Sequence, residues 1–158
     1  MKITHLTNSP SQTQRLGHFL AREILERQTG RGKASVLGLV GELGGGKTTL
    51  LQGFAKNLGV KERVSSPTFL ILRRFRIRKS KLANLILNFY HVDCYRIQKP
   101  REILALGFKK IISNPQNIIA IEWADKIRDI LPKNIAWIKF KFIDKNKRKI
   151  EIRIPKQN

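Results

Sequence analysis

Gly41-Glu42-Leu43-Gly44-Gly45-Gly46-Lys47-Thr48 is the stretch that decides the fold of this chain. It fits the pattern G-x-x-x-x-G-K-[ST], in which small residues leave backbone amides free to surround an anion. In this pattern Lys47 supplies a positive charge for the β- and γ-phosphates of a nucleotide, and the Thr48 hydroxyl is available to Mg²⁺. The alternative is an ordinary glycine-rich turn, so the flanking residues must decide between the two readings.

The flanking residues have the order that a phosphate site requires. Before the loop, Val36 to Val40 form a short apolar run typical of a buried strand. After it, apolar residues recur at helical spacing up to Leu58, and Gly59 is a C-cap signal. A helix that begins at the loop points the positive end of its dipole at bound phosphates. The predicted nucleotide-binding residues are Gly41, Glu42, Leu43, Gly44, Gly45, Gly46, Lys47, Thr48 and Thr49.

Length and composition predict one globular domain over residues 1–158 with a strongly basic surface. The chain has 32 Lys and Arg against 11 Asp and Glu, a formal net charge of +21. Its 158 residues can bury a core without disulfides, and the single cysteine, Cys94, excludes an internal one. No apolar run is long enough to cross a bilayer, and the first residues lack a secretory signal. We therefore expect a cytoplasmic protein with no membrane partner.

The positive charge is of the kind that attracts polyanions, and nucleic acid is the obvious candidate. The densest cluster contains Arg73, Arg74, Arg76 and Arg78. In a continuous strand, Arg74, Arg76 and Arg78 would share one face and form a ridge able to meet RNA phosphates. A solvated hairpin end accounts for the cluster equally well, and a lysine-rich proteome or an acidic protein partner accounts for the net charge. The sequence leaves these alternatives open.

Two carboxylates follow apolar runs and are candidates for the metal and catalytic site. Asp93 comes directly after Phe89 to Val92, and Glu122 comes directly after Ile118 to Ile121. In open α/β sheets, ligands bind beyond the carboxyl ends of the parallel strands. A carboxylate there can hold Mg²⁺ or orient the attacking water. Glu122 has the cleaner apolar context, whereas Asp93 lies among polar residues that also suit a cap.

Four further residues have both a functional and a structural interpretation. Ser66 and Thr68 flank a proline in a hydroxyl-rich turn, which could sense a γ-phosphate or simply lead into a strand. Trp123 could stack on a base, shield the site from water or belong to the core. Arg96 could serve as an internal arginine finger on the γ-phosphate, although nothing in the sequence requires this role.

The remaining pattern predicts a P-loop NTPase-like α/β domain whose central sheet is mixed and flanked by helices. Two hairpins, over residues 69–93 and 135–154, would supply the antiparallel strands. A strand is expected to begin at Leu70, and whether it continues through the arginine cluster is left open. Helices are expected from Pro100 to about Gly107 and from Ala124 to Leu131, with Pro132 ending the second.

Four stretches in order carry a resemblance to the TsaE family, small bacterial P-loop ATPases required for the threonylcarbamoyladenosine (t6A) modification of tRNA. They are Gly41 to Thr49, Ser66-Pro67-Thr68-Phe69, His91-Val92-Asp93-Cys94-Tyr95-Arg96 and Ile121-Glu122-Trp123. The resemblance implies ATP as substrate, Mg²⁺ as cofactor, and TsaD and TsaB as partners whose complex is reset by ATP hydrolysis.

The same resemblance implies roles for individual residues. Lys47 would act on the phosphates, and Thr48 would bind Mg²⁺. Asp93 and Glu122 would belong to the metal and catalytic site. Ser66 and Thr68 would belong to the segment near the γ-phosphate. Trp123 would have a functional role in addition to any role in the core.

Two other functions remain as alternatives. A small-molecule kinase would use the same loop but needs an acceptor pocket and an arginine-bearing lid. A basic tRNA-binding module would use the nucleotide only as a docking switch. No guanine-reading N-K-x-D stretch is present, which favours ATP over GTP.

Overall fold

The computed structural model describes residues 1–28, 32–66, 69–77 and 86–156. The strands are β1 Lys2–Thr7, β2 Ser35–Val40, β3 Leu72–Arg76, β4 Asn88–Asp93, β5 Asn117–Glu122, β6 Ala136–Phe142 and β7 Arg148–Arg153. The helices are α1 Pro10–Gln28, α2 Lys47–Asn57, α3 Arg101–Leu104, α4 Phe108–Ser113 and a 3₁₀ helix, Ala124–Ile130.

Within the described residues, the strands form one mixed sheet in the order β1-β7-β6-β2-β5-β4-β3. The centre is parallel, because β2 pairs in parallel with β5 and β6, and β4 pairs in parallel with β5. Both edges are antiparallel, through β3 with β4, β6 with β7, and β1 with β7. The predicted fold class, a single α/β domain with a mixed sheet, is therefore confirmed, and so are the two predicted hairpins.

Helices cover both faces of the sheet and bury two apolar layers. Helices α1 and α2 pack on one face, where Phe54 lies against Phe89 and Leu50 belongs to the same buried cluster. Helices α3 and α4 and the 3₁₀ helix cover the other face through Ile103, Phe108 and their neighbours. Strand β5 is buried along its whole length, so the parallel centre is shielded from solvent on both sides. Across the described residues, no helix is long and apolar enough to cross a membrane.

Helices α1 and α2 approach each other at glycine positions. A Cβ added to Gly53 would lie 1.9 Å from the carbonyl oxygen of Gln14, and one added to Gly17 would lie 2.0 Å from that of Leu50. Both contacts are with backbone atoms, which cannot move aside as a flexible side chain can. The spacing of α1 and α2, and with it the position of the phosphate-binding helix, therefore depends on these glycines.

We expect Gly53→Ala to lower the free energy of unfolding by about 2 kcal/mol, the usual cost of overpacking a closed interface. Urea denaturation followed by circular dichroism measures the change. Gly32→Ala is the matched control, since a Cβ there meets nothing within 4 Å. Equal stability of the two variants would contradict the close packing of α1 on α2.

The structure corrects three of the predicted elements. Strand β3 begins at Leu72 and not at Leu70, because the chain turns at Leu70 and Ile71 has a φ of 61°, which no strand contains. The helix expected up to Gly107 ends at Leu104, and Gly107, with a φ of 77°, leads into the unpredicted helix α4. The helix expected from Ala124 to Leu131 is a 3₁₀ helix.

Candidate nucleotide-binding site

The glycine-rich loop lies at the carboxyl end of the central strand β2 and leads directly into α2. Strands β5 and β6 flank β2 on either side. Gly41 has a φ of 150°, and a Cβ on it would lie 2.6 Å from the carbonyl oxygen of Phe140 in β6. Only glycine fits so close to the neighbouring strand, which fixes where the loop leaves the sheet.

Lys47 is buried at the start of α2, and its ammonium group is held at the mouth of the loop. Its Nζ donates to the carbonyl oxygens of Gly41 at 2.7 Å and Glu42 at 2.8 Å. It also lies 4.2 Å from the centre of a Trp123 ring, within cation–π range. Burial lowers the pKa of Lys47, and the nearby carboxylates, Glu122 first, oppose this shift. An anion bound in the loop would offset the cost of burying this charge.

Thr48 and Glu122 meet although they lie 74 positions apart in the chain. Thr48 Oγ1 donates to Glu122 Oε1 at 2.8 Å. Glu122 is the last residue of β5 and is 3% exposed, so its carboxylate is taken out of water and held by specific donors. The helix that carries the phosphate loop is thereby joined to a strand-end carboxylate.

Asp93 lies beside Glu122, because the two residues are partners in the parallel ladder of β4 and β5. Its Oδ1 accepts a hydrogen bond from the backbone amide of Tyr95 at 2.8 Å. Its Oδ2 accepts a hydrogen bond from the hydroxyl of Ser66. The structure thus brings Ser66 to the site, whereas Thr68 lies outside the described residues.

Trp123 closes one side of the site in an unusual backbone conformation. Its φ is 58°, which is rare for a large aromatic residue. This turn at the end of β5 places the indole against Lys47 and 5.2 Å, between ring centres, from Tyr95. Arg96 is placed differently: its guanidinium lies 4.6 Å from the centre of the Phe69 ring. Its proposed role as an arginine finger stays a prediction.

One cavity of about 410 Å³, within the range typical of small-ligand sites, is lined by Lys47, Thr48, Ser66, Asp93, Glu122 and Trp123, but not by Arg96. Its lining also includes residues from the start of α1 and from the turn between β6 and β7, namely Ser9, Pro10, Thr13, Lys145, Asn146 and Arg148.

The oxygen donors at this site suit Mg²⁺ held together with a nucleotide. The described residues contain no group of three or more His, Cys, Asp or Glu side chains able to hold a metal ion. Mg²⁺ does not need such a group, because it is usually bound by one or two carboxylates, water and substrate phosphates. Thr48, Glu122 and Asp93 provide that kind of partial ligand set.

Comparison with known proteins identifies the family. The family model described as "Threonylcarbamoyl adenosine biosynthesis protein TsaE" matches residues 7–150. The chain belongs to the TsaE family. The resemblance in the four stretches is thereby confirmed, and with it a family role in t6A biosynthesis.

Individual TsaE relatives match over most of their length. The tRNA threonylcarbamoyladenosine biosynthesis protein TsaE of Rickettsia prowazekii (strain Madrid E) is 31% identical over 145 residues, covering 91% of this chain and 90% of the relative. The protein of the same name from Bacillus subtilis (strain 168) is 36% identical over 115 residues, covering 73% and 66%. The crystal structure of Bacillus subtilis YdiB matches with a TM-score of 0.69 and 25% identity, over 99% of this chain and 87% of that one.

Two residues of this TsaE chain reach the site although the sequence analysis did not select them. His91 is fully buried, and its Nε2 lies 2.8 Å from Glu122 Oε1. Since a carboxylate only accepts hydrogen bonds, we assign the proton to Nε2. Arg148, at the start of β7, donates from Nη2 to the carbonyl oxygen of Gly44 at 3.1 Å. The spacing of His91 two residues before Asp93 was a usable signal for His91, because it puts both on one face of β4.

Proposed function

We propose that this chain is a Mg²⁺-dependent ATPase of t6A biosynthesis, and that its hydrolysis of ATP cycles a complex of TsaD and TsaB. One observation carries the proposal: Lys47, Thr48, Asp93 and Glu122 converge at the mouth of the same loop. These are a cation for phosphates, a hydroxyl for a metal ion and two acids. They are the side chains that phosphoryl transfer to water requires.

The phosphate end of the site would be formed by the loop, α2 and Lys47. The first backbone amides of a helix have no partner within the helix, and those of α2 belong to residues that line the cavity. The helix dipole adds to their attraction for anions. Lys47 already lies among backbone carbonyls of the loop, so its charge is oriented before a nucleotide binds. Such preorganised charge is the main source of catalysis in phosphoryl transfer.

Thr48 and Glu122 would hold Mg²⁺, and Asp93 would complete its surroundings. When bound, the ion neutralises charge on the phosphate oxygens. Glu122 Oε1 is already held by Thr48 and His91, which fixes the carboxylate for this role. Asp93 is held differently, by Ser66 on the segment that precedes β3. We therefore assign the metal chiefly to Glu122 and the orientation of the attacking water to Asp93, with Ser66 responding to the γ-phosphate.

The part of the cavity lined by α1 and by the turn between β6 and β7 would take the nucleoside. Arg148 lines this part and is fixed by the carbonyl oxygens of Gly44 and Asp144. With the phosphates in the loop, we place the base on this side. The absence of a guanine-reading stretch makes adenine the proposed base.

Contact with tRNA is proposed for the exposed arginines of β3. Arg74 and Arg76 alternate with the buried Phe75 and so project from the same face of this edge strand. Arg73 lies on the other face, with its guanidinium 4.7 Å from the centre of the Phe75 ring. Arg78 lies outside the described residues, so the proposal is carried by Arg74 and Arg76.

A capture experiment with TsaD and TsaB tests the proposed function. We expect the immobilised chain to retain both proteins in the presence of ATP and Mg²⁺, and to release phosphate without any added acceptor. Capture that is unaffected by nucleotide would contradict the cycling role. Phosphate transfer only after addition of a small-molecule acceptor would identify a kinase instead.

A further inference from the structure

A second concave surface lies on α1 and α2, and it shares no lining residue with the nucleotide cavity. It is a groove of about 950 Å³, bordered by α1, by α2 and by the segment from Val60 to Val64. Its charged and titratable lining residues are Arg15, His18, Lys56, Lys61, Glu62 and Arg63. The lining thus contains four lysine and arginine side chains and only one carboxylate.

Specific hydrogen bonds join the walls of this groove. Gln52 of α2 accepts a hydrogen bond from Gln14 of α1 at 3.1 Å, and its own amide donates to the carbonyl oxygen of Val64 at 3.1 Å. One side chain therefore ties all three walls together. The α1–α2 contact beneath it is the close glycine packing described above.

The shape and charge of the groove indicate the chemistry of its partner. Cations that line a concave surface reinforce one another's field and concentrate anions there. A protein-binding groove would instead be expected to expose aromatic or large aliphatic residues at its centre. The large hydrophobic residues that are exposed in the described part of the chain, such as Phe19 and Phe69, do not line the groove.

We propose that this groove binds the phosphate backbone of RNA, as a contact separate from the arginines of β3. The inference deepens the proposed function, on which it rests, by naming a surface for the tRNA. Phosphate contacts supply most of the non-specific affinity of proteins for nucleic acids, so the groove would position an RNA strand without reading its bases. The cations come from three separate segments, which gives such a strand several contacts along its path.

The test replaces one cation from each wall, in the triple variant Arg15→Ala, Lys56→Ala, Arg63→Ala. Binding of fluorescently labelled tRNA is followed by anisotropy at several salt concentrations. We expect the affinity at low salt to fall about tenfold or more, because three phosphate contacts are lost. The slope of log affinity against log salt should fall by about three, one unit for each contact.

The matched control is Lys133→Ala, Lys139→Ala, Lys141→Ala, which removes the same charge from exposed positions outside the groove. We expect the control to bind tRNA with nearly the wild-type salt slope. Equal losses in the two triple variants would overturn the inference, because net charge and not the groove would then govern binding. The inference would also be overturned if the groove variant, but not the control, failed to capture TsaD and TsaB from mixtures without RNA. An acidic protein would then be identified as the occupant of the groove.

Phosphate release with TsaD and TsaB separates failure of this inference from failure of the proposed function. The groove variant should retain that activity, since none of its three substituted residues lies in the nucleotide site. If the wild-type protein hydrolyses ATP and the groove variant binds tRNA as tightly as the wild type, only the proposed RNA contact of the groove is contradicted. Absence of hydrolysis in the wild-type protein would overturn the proposed ATPase and leave the RNA measurement valid.

Discussion

Lys47→Ala is expected to reduce phosphate release, measured with TsaD and TsaB present, by at least about 100-fold. The reason is that the variant loses a preorganised charge at the mouth of the loop, and one such group is typically worth about 10²–10³ in turnover. The fold should survive the change. Because burial lowers the pKa of Lys47, the folded protein disfavours the charged form of this side chain. Removing the charge therefore removes a desolvation cost from the free energy of folding at neutral pH.

Lys139→Ala serves as the control, because Lys139 is exposed on β6. Its turnover and its urea midpoint should both equal those of the wild-type protein. Turnover of Lys47→Ala within about twofold of wild type would contradict the role of the loop. A large drop in its urea midpoint would instead assign the lost activity to unfolding.

Glu122→Gln is expected to separate metal-dependent from metal-independent nucleotide binding. The substitution keeps the side-chain volume and an oxygen that accepts from Thr48, but it removes the negative charge. We expect the gain in ATP affinity on adding Mg²⁺ to be lost and turnover to fall by about 100-fold, while affinity in EDTA stays within about threefold. Isothermal titration with and without Mg²⁺ measures the effect.

Glu151→Gln is the matched control, because Glu151 lies on β7 and pairs with Lys149, outside the residues that line the nucleotide cavity. This variant should show the same gain in ATP affinity on adding Mg²⁺ as the wild-type protein. If Glu122→Gln lost ATP affinity equally in EDTA and in Mg²⁺, Glu122 would have a structural role instead. Asp93→Asn extends the comparison: it should lose turnover and retain most of the Mg²⁺ effect, as expected of a residue that orients water.

The parts of the site that the sequence predicted are those set by local pattern and by strand direction. The loop motif lay between an apolar strand and a helix, and β2 and α2 have those positions. Asp93 and Glu122 each ended an apolar run. Parallel strands end at the same edge of a sheet, and β4 and β5 turned out to be direct neighbours. Strand order itself was not readable, so their pairing could only be expected as one possibility.

The parts that were missed depend on contacts between distant segments. Arg148 reaches Gly44 across 104 residues of sequence, through the order of β7, β6 and β2, and nothing around Arg148 signals this. Helix α4 has only six residues, too few for a helical period to stand out. The start of β3 was placed too early because Ile71, a residue that favours strands, is held with a positive φ at a turn.

A crystal structure with a non-hydrolysable ATP analogue and Mg²⁺ tests the central claim most directly. The account predicts phosphate oxygens within hydrogen-bond distance of the loop amides and of Lys47 Nζ, with Mg²⁺ about 2.1 Å from Thr48 Oγ1 and on the side of Glu122. An empty loop at saturating nucleotide, or a nucleotide bound elsewhere on the chain, would contradict it.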